Sequence, residues 1–475
     1  MTENTVGISI NVNLTEWGIQ VGREVKEGDD LEEGVQELAH DLALKVYKAV
    51  IQSIDDRIAR EVPENWRNVG TEERTVISSI GAIRYKRRIY LDEEGRRRKP
   101  LDELLGIRRY ARITRRVQKM GAYLASEGSY RRTAEQLSWQ IKTPISHASI
   151  QRLIWDIGNR IADVDEAENK RIFESGESLG AGKVVAPVLW AESDGVHLHL
   201  QGEQRKSTEV RVAVLSSGRK AIGEGRYRLE NKCCLTSIGQ SSQEWQESIL
   251  RAAHSHYDLT KTDLCVTGGD GNAWVRHSFD RLEIHQEFIL DRFHLHRAAR
   301  RAFQDRAVST RIVSALRQEG FPAVRQELEQ MIKASVGKRH KHLLQFYHYV
   351  SRNQDALLDL DRRGYTFSAH LGAIEGNVDK LVVHRMKGRG CSWRLRGVRA
   401  MLAVCRHRDE LRELAYAYRP VNTNRKVRHT SSSPTVDYSE SIQKRMPIFY
   451  GPHQDRPWVR SLYNSLHGRP LSLTV

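Results

Sequence analysis

Residues 184–200 read VVAPVLWAESDGVHLHL, and this stretch decides the fold class. Its first eight residues are nearly all apolar, as in a strand that is buried on both faces, and Val196–Leu200 alternates apolar residues with histidine. Asp194 stands between the two halves, beside Gly195, and Asp-Gly is a common turn dipeptide. We therefore predict two strands here, with Asp194 at a strand end.

Three further strands are predicted downstream, at Val210–Val214, Leu264–Thr267 and Glu287–Leu290. Residues 298–366 lack strand signals and are basic and helical in pattern, so they interrupt the sheet as a helical insertion. Strands mixed with helices in this way indicate an α/β fold with a mixed sheet. The Gly-, Ser- and Glu-rich stretch at 174–182 is predicted to be the linker that precedes this domain.

The part of the chain before the linker is predicted to be mostly helical. Residues 31–60 repeat apolar positions at helical spacing, within an acidic region that we place at 1–70. Residues 71–120 form a basic segment, with a short β-hairpin at about 75–92 that carries Arg84, Lys86, Arg87 and Arg88. After the sheet domain, residues 416–475 are predicted to be a polar tail.

Residues 121–173 show the order helix, break, helix. Thr143-Pro144 breaks the first helix, and Ser146 can cap a second one whose apolar stripe begins at Ile150. This is the layout of a helix-turn-helix, which would present His147, Gln151 and Arg152 to DNA. An ordinary helical hairpin gives the same pattern, and the sequence leaves both open.

The charge of the chain favours a polyanionic partner. Its 475 residues include 76 Lys and Arg against 60 Asp and Glu, a net charge of +16. The excess is concentrated in three blocks, at 71–120, 291–345 and 380–412, with net charges of +8, +7 and +8. From the third block we assign Arg385, Lys387 and Arg389 to the DNA backbone, although each block alone could be a solvated surface.

Other classes of protein are less consistent with the composition. The N-terminus lacks a secretory pattern, and no apolar run approaches the roughly 20 residues of a membrane span, so we expect a cytoplasmic, nucleoid-associated protein without a membrane partner. Five cysteines without a Cys-x-x-Cys pair argue against a disulfide framework. The His-x-His pairs and Cys233-Cys234 leave a structural zinc site as a minor alternative.

Three carboxylates are the candidate catalytic residues. Asp194 and Asp270 follow apolar strand segments, where α/β sheets hold ligands, and Glu375 lies beside the apolar stripe of a predicted helix. Asp379, one turn further along, competes with Glu375. Both aspartates could instead be turn residues, and Glu375 could be an exposed residue at a helix start. Cleavage of a phosphodiester by two divalent ions needs such a set of oxygen ligands.

The order and spacing of these residues resemble the DDE transposases of bacterial insertion sequences, in the Mutator-like branch with an RNase H-like catalytic core. Asp194, Asp270 and Glu375 match the DDE triad, and Asp291-Arg292-Phe293-His294 matches a motif between its second and third residues. The segments Arg389–Trp393 and Leu101–Gly106 are also similar. The resemblance covers about residues 75–415.

This resemblance implies an RNase H-like catalytic domain at 183–415 and transposition by DNA strand cleavage and strand transfer. Asp194, Asp270 and Glu375 would bind two Mg²⁺ or Mn²⁺ ions, with Asp291 and His294 near the site. The partners would be double-stranded DNA, as terminal repeats and target, and further copies of the chain in a homodimer or higher oligomer. Two alternatives stay open: a non-catalytic, sequence-specific DNA-binding protein, and an RNase H-like nuclease without strand transfer.

Overall fold

The computed structural model describes residues 8–14, 19–25, 30–180, 182–367, 369–388 and 391–416. The predicted polar tail at 416–475 therefore lies outside the described residues, apart from its first position. No helix in the described ranges combines the length and the apolarity that a membrane crossing requires.

The N-terminal part contains two β-structures around one long helix. Its elements are β1 (Ile8–Leu14), β2 (Ile19–Val25), α1 (Leu31–Glu61), β3 (Arg67–Ser78), β4 (Gly81–Leu91), β5 (Arg97–Arg98) and α2 (Pro100–Leu104). The helix predicted at 31–60 is confirmed, and it begins at Asp30, whose carboxylate accepts hydrogen bonds from the amides of Glu32 and Glu33. The antiparallel pair β1 and β2 was not predicted, although Ile8–Leu14 alternates apolar and polar residues.

The predicted basic hairpin is confirmed as β3 and β4, and it is longer than expected. Much of its positive charge is neutralised within the fold. Arg74 and Arg87 are buried and both pair with the buried carboxylate of Asp102 in α2. Arg88 pairs with Asp55 of α1 at 2.7 Å. These arginines therefore join the hairpin to the neighbouring helices and are not free to bind a polyanion.

Three helices follow: α3 (Arg115–Glu127), α4 (Tyr130–Gln140) and α5 (His147–Phe173). The predicted cap of the third is confirmed, because the Ser146 hydroxyl accepts a hydrogen bond from the Ser149 amide at 3.2 Å. Ile150, Leu153 and Ile154 are buried, as the apolar stripe predicts. Helix α5 has 27 residues, and His147 and Arg152 lie in its first two turns.

The five-stranded sheet lies downstream of the linker. The strands and helices of this part are β6 (Val188–His199), β7 (Ser207–Ser216), the hairpin β8 (Gly218–Gly223) and β9 (Arg226–Glu230), β10 (Cys233–Ile238), α6 (Ser242–His256), β11 (Leu264–Gly269), α7 (Ala273–Arg276) and β12 (Gln286–Leu290). The order in the sheet is β10-β7-β6-β11-β12, and only β7 is antiparallel to the others. This is the strand order of RNase H-like sheets, and it confirms the predicted α/β fold class.

One strand prediction is wrong. The segments Val184–Ala191 and Val196–Leu200 do not form two strands, because β6 continues through Asp194 and Gly195 without a turn. Strand β7 pairs with it over the whole stretch from Trp190 to His199. The ladder of backbone hydrogen bonds overrides the turn preference of Asp-Gly, so Asp194 lies within a strand.

The remaining chain is helical, as predicted for residues 298–366. Its helices are α8 (Arg292–Phe303), α9 (Arg306–Gln318), α10 (Phe321–Lys333), α11 (Gly337–Arg352), α12 (Ile374–Val378), α13 (His384–Met386), α14 (Leu395–Arg406) and α15 (Arg408–Tyr416). A π-helical turn at Asp379–Val383 joins α12 to α13 without a break. Helices α8 to α11 share one apolar core, and α14 packs along α5.

The buried ion pairs of the hairpin give a stability prediction. Replacing Asp102 by Asn would leave the buried guanidinium of Arg74 without a charged partner and that of Arg87 with only the exposed Glu72, at 3.0 Å, which costs about 3–5 kcal/mol of unfolding free energy. Urea denaturation of the two proteins measures this difference. The control is Glu73→Gln, which removes an exposed partner of Arg84 in the same hairpin. A similar loss in both variants would contradict the structural role of Asp102.

Candidate active site

The acidic residues of the sheet gather at one edge. Strands β6 and β11 are parallel neighbours with Glu192 opposite Gly268, so Asp194 lies level with Asp270, the residue that follows β11. Asp291 follows β12, the next parallel strand, and its amide donates a hydrogen bond to the Gly269 carbonyl at 2.8 Å. The structure therefore brings Asp194, Asp270 and Asp291 together along adjacent strands.

The three carboxylates influence one another electrostatically. Burial raises the pKa of Asp194, and the negative charges of Asp270 and Asp291 raise it further. The Gly195 amide, which donates a hydrogen bond to Asp194 Oδ1 at 2.7 Å, and His294 act in the opposite direction. Clustered carboxylates of this kind are what a hard divalent cation binds, because its charge offsets their repulsion.

The loop after β11 is held by its own side chains and by the helical insertion. Asp270 Oδ1 accepts a hydrogen bond from the Asn272 amide at 2.9 Å, and the Tyr349 hydroxyl of α11 donates to the Asp270 carbonyl at 3.0 Å. Gly271 has a φ of +84°, and a Cβ there would lie 2.7 Å from the side chain of Asn353, the residue that follows α11. The insertion therefore fixes the backbone that carries Asp270.

Asp291 and His294 occupy the start of α8. Asp291 Oδ1 accepts hydrogen bonds from the amides of Phe293 and His294, at 2.7 and 3.1 Å, so this carboxylate caps the helix. The ring of His294 lines a cavity of about 330 Å³ together with Asp270, Arg297 and Arg301. Both arginines are exposed, and in the described part of the chain no carboxylate pairs with them. An unpaired basic face thus borders the carboxylates.

Glu375 is the predicted catalytic residue that the structure does not bring into contact with the others. It is exposed on α12, and its carboxylate forms no hydrogen bond or ion pair with any described residue. Asp379 is also exposed, at the start of the π-helical turn. Across the described ranges, no group of three His, Cys, Asp or Glu side chains is close enough to hold a metal ion. Asp194 and Asp270 are suitable as ligands, but the third is not in place.

A carboxylate that was not predicted connects α12 to the site. Glu192 is buried in β6, two residues before Asp194 and on the same face of the sheet. It accepts hydrogen bonds from the backbone amides of Gly372, Ala373 and Ile374, at 2.8 to 3.3 Å. The segment immediately before Glu375 is therefore tied to the strand that carries Asp194. An acidic residue in an otherwise apolar strand was the signal that could have identified it.

The predicted DNA-binding residues have different surroundings. His147 and Arg152 are exposed on α5, as predicted, and Lys387 is also exposed. Gln151 lies on the wall of a cavity with Tyr130 and Trp155 and does not belong to an outer face.

Arg385 requires a correction, because its side chain is only 7% exposed and stacks on the rings of Tyr130 and Trp393, with its Cζ 5.1 and 5.0 Å from the ring centroids. A guanidinium in that position does not face the backbone of an outer duplex. Arg389 lies outside the described residues.

The fold and the acidic edge define an α/β protein with an RNase H-like sheet and carboxylates on adjacent parallel strands, with Asp194 inside β6 and Asp270 and Asp291 directly after β11 and β12. The model of an uncharacterised protein family, UPF0236, matches residues 24–414, so the chain belongs to UPF0236.

Similar proteins occur in Caldanaerobacter subterraneus subsp. tengcongensis. UPF0236 protein TTE2489 is 23% identical over 419 residues, which are 85% of this chain and 85% of that protein. UPF0236 protein TTE0610/TTE0881/TTE1053/TTE2432 is 23% identical over 418 residues, covering 85% and 84%. A third, whose name combines eleven designations from TTE0033 to TTE2212, is 22% identical over 391 residues, covering 80% and 78%.

The environment of Glu192 gives a prediction on pH. Burial raises the pKa of Glu192 from 4.5 to about 7, although the three amide hydrogen bonds lower it. The folded state therefore holds a proton between pH 4.5 and 7 that the unfolded chain releases. Its stabilising effect is complete below pH 4.5 and is lost as the pH rises through about 7, with a slope of at most about 1.4 kcal/mol per pH unit.

Denaturation at a series of pH values, with EDTA present, measures this slope. We expect Glu192→Gln to be less stable, because its amide group cannot accept all three hydrogen bonds, and to lack this part of the pH dependence. The control is Glu224→Gln, in the exposed turn between β8 and β9, which should keep the wild-type curve. Parallel curves for wild type and Glu192→Gln would contradict the raised pKa.

Proposed function

We propose that the protein is a transposase that cuts and rejoins DNA strands at the ends of an insertion sequence, with Mg²⁺ or Mn²⁺. The observation that carries this proposal is the alignment of Asp194 and Asp270 on adjacent parallel strands of an RNase H-ordered sheet. Their carboxylates supply anionic oxygen ligands for metal ions, and the basic face of α8 beside them supplies a cationic surface for the DNA backbone. Metal-dependent cleavage of a phosphodiester in DNA needs both.

The residues that would hold the two metal ions are Asp194 and Asp270, with Glu375 as the third ligand. Bound metal ions would stabilise the attacking and leaving oxygens of the phosphodiester. Glu192 supports this assignment because it fixes the chain next to Glu375 against β6. In this proposal the carboxylate of Glu375, which is exposed on α12, turns toward Asp194 when metal and DNA bind.

The surrounding residues bind and orient the substrate. Arg297 and Arg301 lie one turn apart on the exposed face of α8 and can contact successive phosphates. His294 lies between that face and the carboxylates, where its ring can position a phosphate or a water molecule. Asp291 holds His294 in place through the helix cap. In this proposal two or more copies of the chain bind the two ends of the element.

The names of the relatives give independent support. Two of them combine four and eleven numbered designations. If each designation is a separate copy in the same genome, this multiplicity is the pattern that a mobile element leaves.

A non-catalytic DNA-binding protein is the second candidate function. It is favoured by the exposed position of Glu375, which leaves the predicted set of three ligands incomplete in the described residues. Such a protein would use the basic face of α8 without needing metal. DNA cleavage that depends on Asp194 and Asp270 therefore distinguishes a transposase from a non-catalytic DNA-binding protein.

The catalytic test uses a plasmid that carries the coding sequence with its native flanking DNA. Asp194→Asn, Asp270→Asn and Glu375→Gln should each lower Mg²⁺-dependent cleavage by on the order of 10³-fold, because metal ligands act as a unit. The control is Asp361→Asn, an exposed carboxylate on the insertion, which should cleave normally. DNA ends that are joined to new DNA distinguish a transposase from a nuclease. Cleavage that persists in all three variants would exclude the proposed site.

A second test concerns the recognition of the element ends. His147 and Arg152 are exposed at the first turns of α5, where a recognition helix contacts base edges. The double substitution to Ala should weaken binding to the native ends by about 1–3 kcal/mol for each lost base contact, and binding to scrambled duplexes should change less. Gel-shift titrations on both duplexes measure this, with Asp156→Asn on the same helix as control. Equal losses would indicate phosphate contacts only.

A further inference from the structure

A second cavity lies between α4, α5 and the segment that leads into α14. Its volume is about 550 Å³, within the range of pockets that hold small molecules. Its wall includes Tyr130, Gln151, Trp155, Arg385, Trp393 and Arg394. Among the described residues, no carboxylate lines it, so the wall is aromatic, polar and cationic.

Arg385 is the unusual member of this wall. Its Nε donates a hydrogen bond to the Ala125 carbonyl, and its guanidinium lies against the rings of Tyr130 and Trp393. No carboxylate of the described chain forms an ion pair with it, although the side chain is 93% buried. Burial lowers the pKa of Arg385. A buried cation without an anion is costly, and an anionic ligand would remove that cost.

The cavity also has polar atoms that lack partners. The Tyr130 hydroxyl is buried and forms no hydrogen bond with any described residue. The half-buried Gln151 side chain adds an amide, which can both donate and accept. The Trp393 ring is fixed, because its Nε1 donates to the Met386 carbonyl at 2.9 Å. The wall therefore offers hydrogen-bonding groups beside a rigid ring.

Space next to the aromatic rings is kept by a glycine. A Cβ at Gly397 would lie 3.5 Å from Trp155 and 3.5 Å from Trp393, so a longer side chain would occupy the space between the rings. Arg396, which is not part of the wall, lies over one face of the Trp155 ring, with its Cζ 5.0 Å from the ring centroid, so a base would stack on the other face. Arg394 is exposed at the rim. The wall of the cavity thus combines the indole of Trp155 with the guanidinium groups of Arg385 and Arg394.

We propose that this cavity binds a single nucleotide turned out of a DNA strand, with its base against Trp155 and its phosphate on Arg385 and Arg394. Stacking on tryptophan accepts any base, and guanidinium groups match phosphate oxygens in two-point hydrogen bonds. An unpaired nucleotide supplies both groups at once, whereas a paired one hides its base in the duplex. The choice of DNA as the source rests on the proposed function, and a free nucleotide has the same chemistry.

Fluorescence anisotropy in EDTA, where no strand is cut, tests this inference. Two labelled duplexes of one sequence are compared, one fully paired and one with a single central bulged adenine. Wild-type protein should bind the bulged duplex about tenfold more tightly, given the contribution of one stacked base. Trp155→Leu and Arg394→Ala should each reduce that ratio to near one. Arg412→Ala removes an exposed charge on α15 and should preserve it.

Circular dichroism shows whether each variant is folded, and Arg394→Ala at the exposed rim keeps the test valid should Trp155→Leu unfold. A wild-type ratio near one would overturn the nucleotide site, whatever the Asp194 and Asp270 variants do in cleavage. Competition by deoxyadenosine monophosphate shows whether the cavity binds a nucleotide within DNA or a free nucleotide. The protein could bind that nucleotide, lose this binding in Arg394→Ala, and bind no duplex. This outcome would support the nucleotide site and contradict the proposed transposase. Binding of neither would overturn both.

Discussion

The carboxylate of Glu192 is the contact on which the arrangement of the site depends. It lies in β6 and accepts hydrogen bonds from three consecutive amides that are 180 or more residues further along the chain. Those amides begin α12, and α12 continues through the π-helical turn to Arg385. One buried acid therefore sets the position of both Glu375 and the aromatic cavity relative to Asp194. Its three hydrogen bonds tie the segments that lead to both sites to one strand.

The positive charge of the chain has three different physical roles. In the β3–β4 hairpin, Arg74 and Arg87 neutralise Asp102 and hold the hairpin to α2. On α8, Arg297 and Arg301 have no carboxylate partner in the described chain and border the acidic edge. Arg385 is buried between two rings. A net charge of +16 predicts a polyanionic partner, but only the contacts separate the arginines that can bind it from those that hold the fold together.

Local signals in the sequence predicted local structure well. The Ser146 cap and the stripe at Ile150, Leu153 and Ile154 gave the start and the buried face of α5, because a cap and a helical period act within a few residues. The same reasoning failed at Asp194, because pairing with β7 outweighs the turn preference of Asp-Gly. Strand pairing joins segments that are distant in sequence, so a single sequence did not reveal it.

The candidate site was predictable in part for the same reason. Asp270 and Asp291 follow parallel strands, and strand ends of that kind are recognisable from apolar runs. Glu192 was visible only as an acidic residue in an apolar strand, and its contacts were not predictable, because its partners are backbone amides, which residue type does not reveal. Arg385 looked like one more basic residue in a basic block. Its burial depends on rings that come from α4 and from the segment before α14, and no periodicity in the sequence brings those together.

Strand β6 also sets the distance between the two sites. Asp194 lies in the middle of β6, and His199 at its end accepts a hydrogen bond from the Trp393 amide at 3.1 Å. Five residues of strand, at about 3.3 Å each, span roughly 17 Å. Successive nucleotides of a duplex strand are about 3.4 Å apart along the axis. A phosphate at the carboxylates and a nucleotide in the aromatic cavity would thus be about five nucleotides apart. Because β6 is paired with β7 along this stretch, the separation along the strand is a fixed property of the fold, and under the two proposals a DNA strand that runs along β6 and reaches both sites would open at about that spacing.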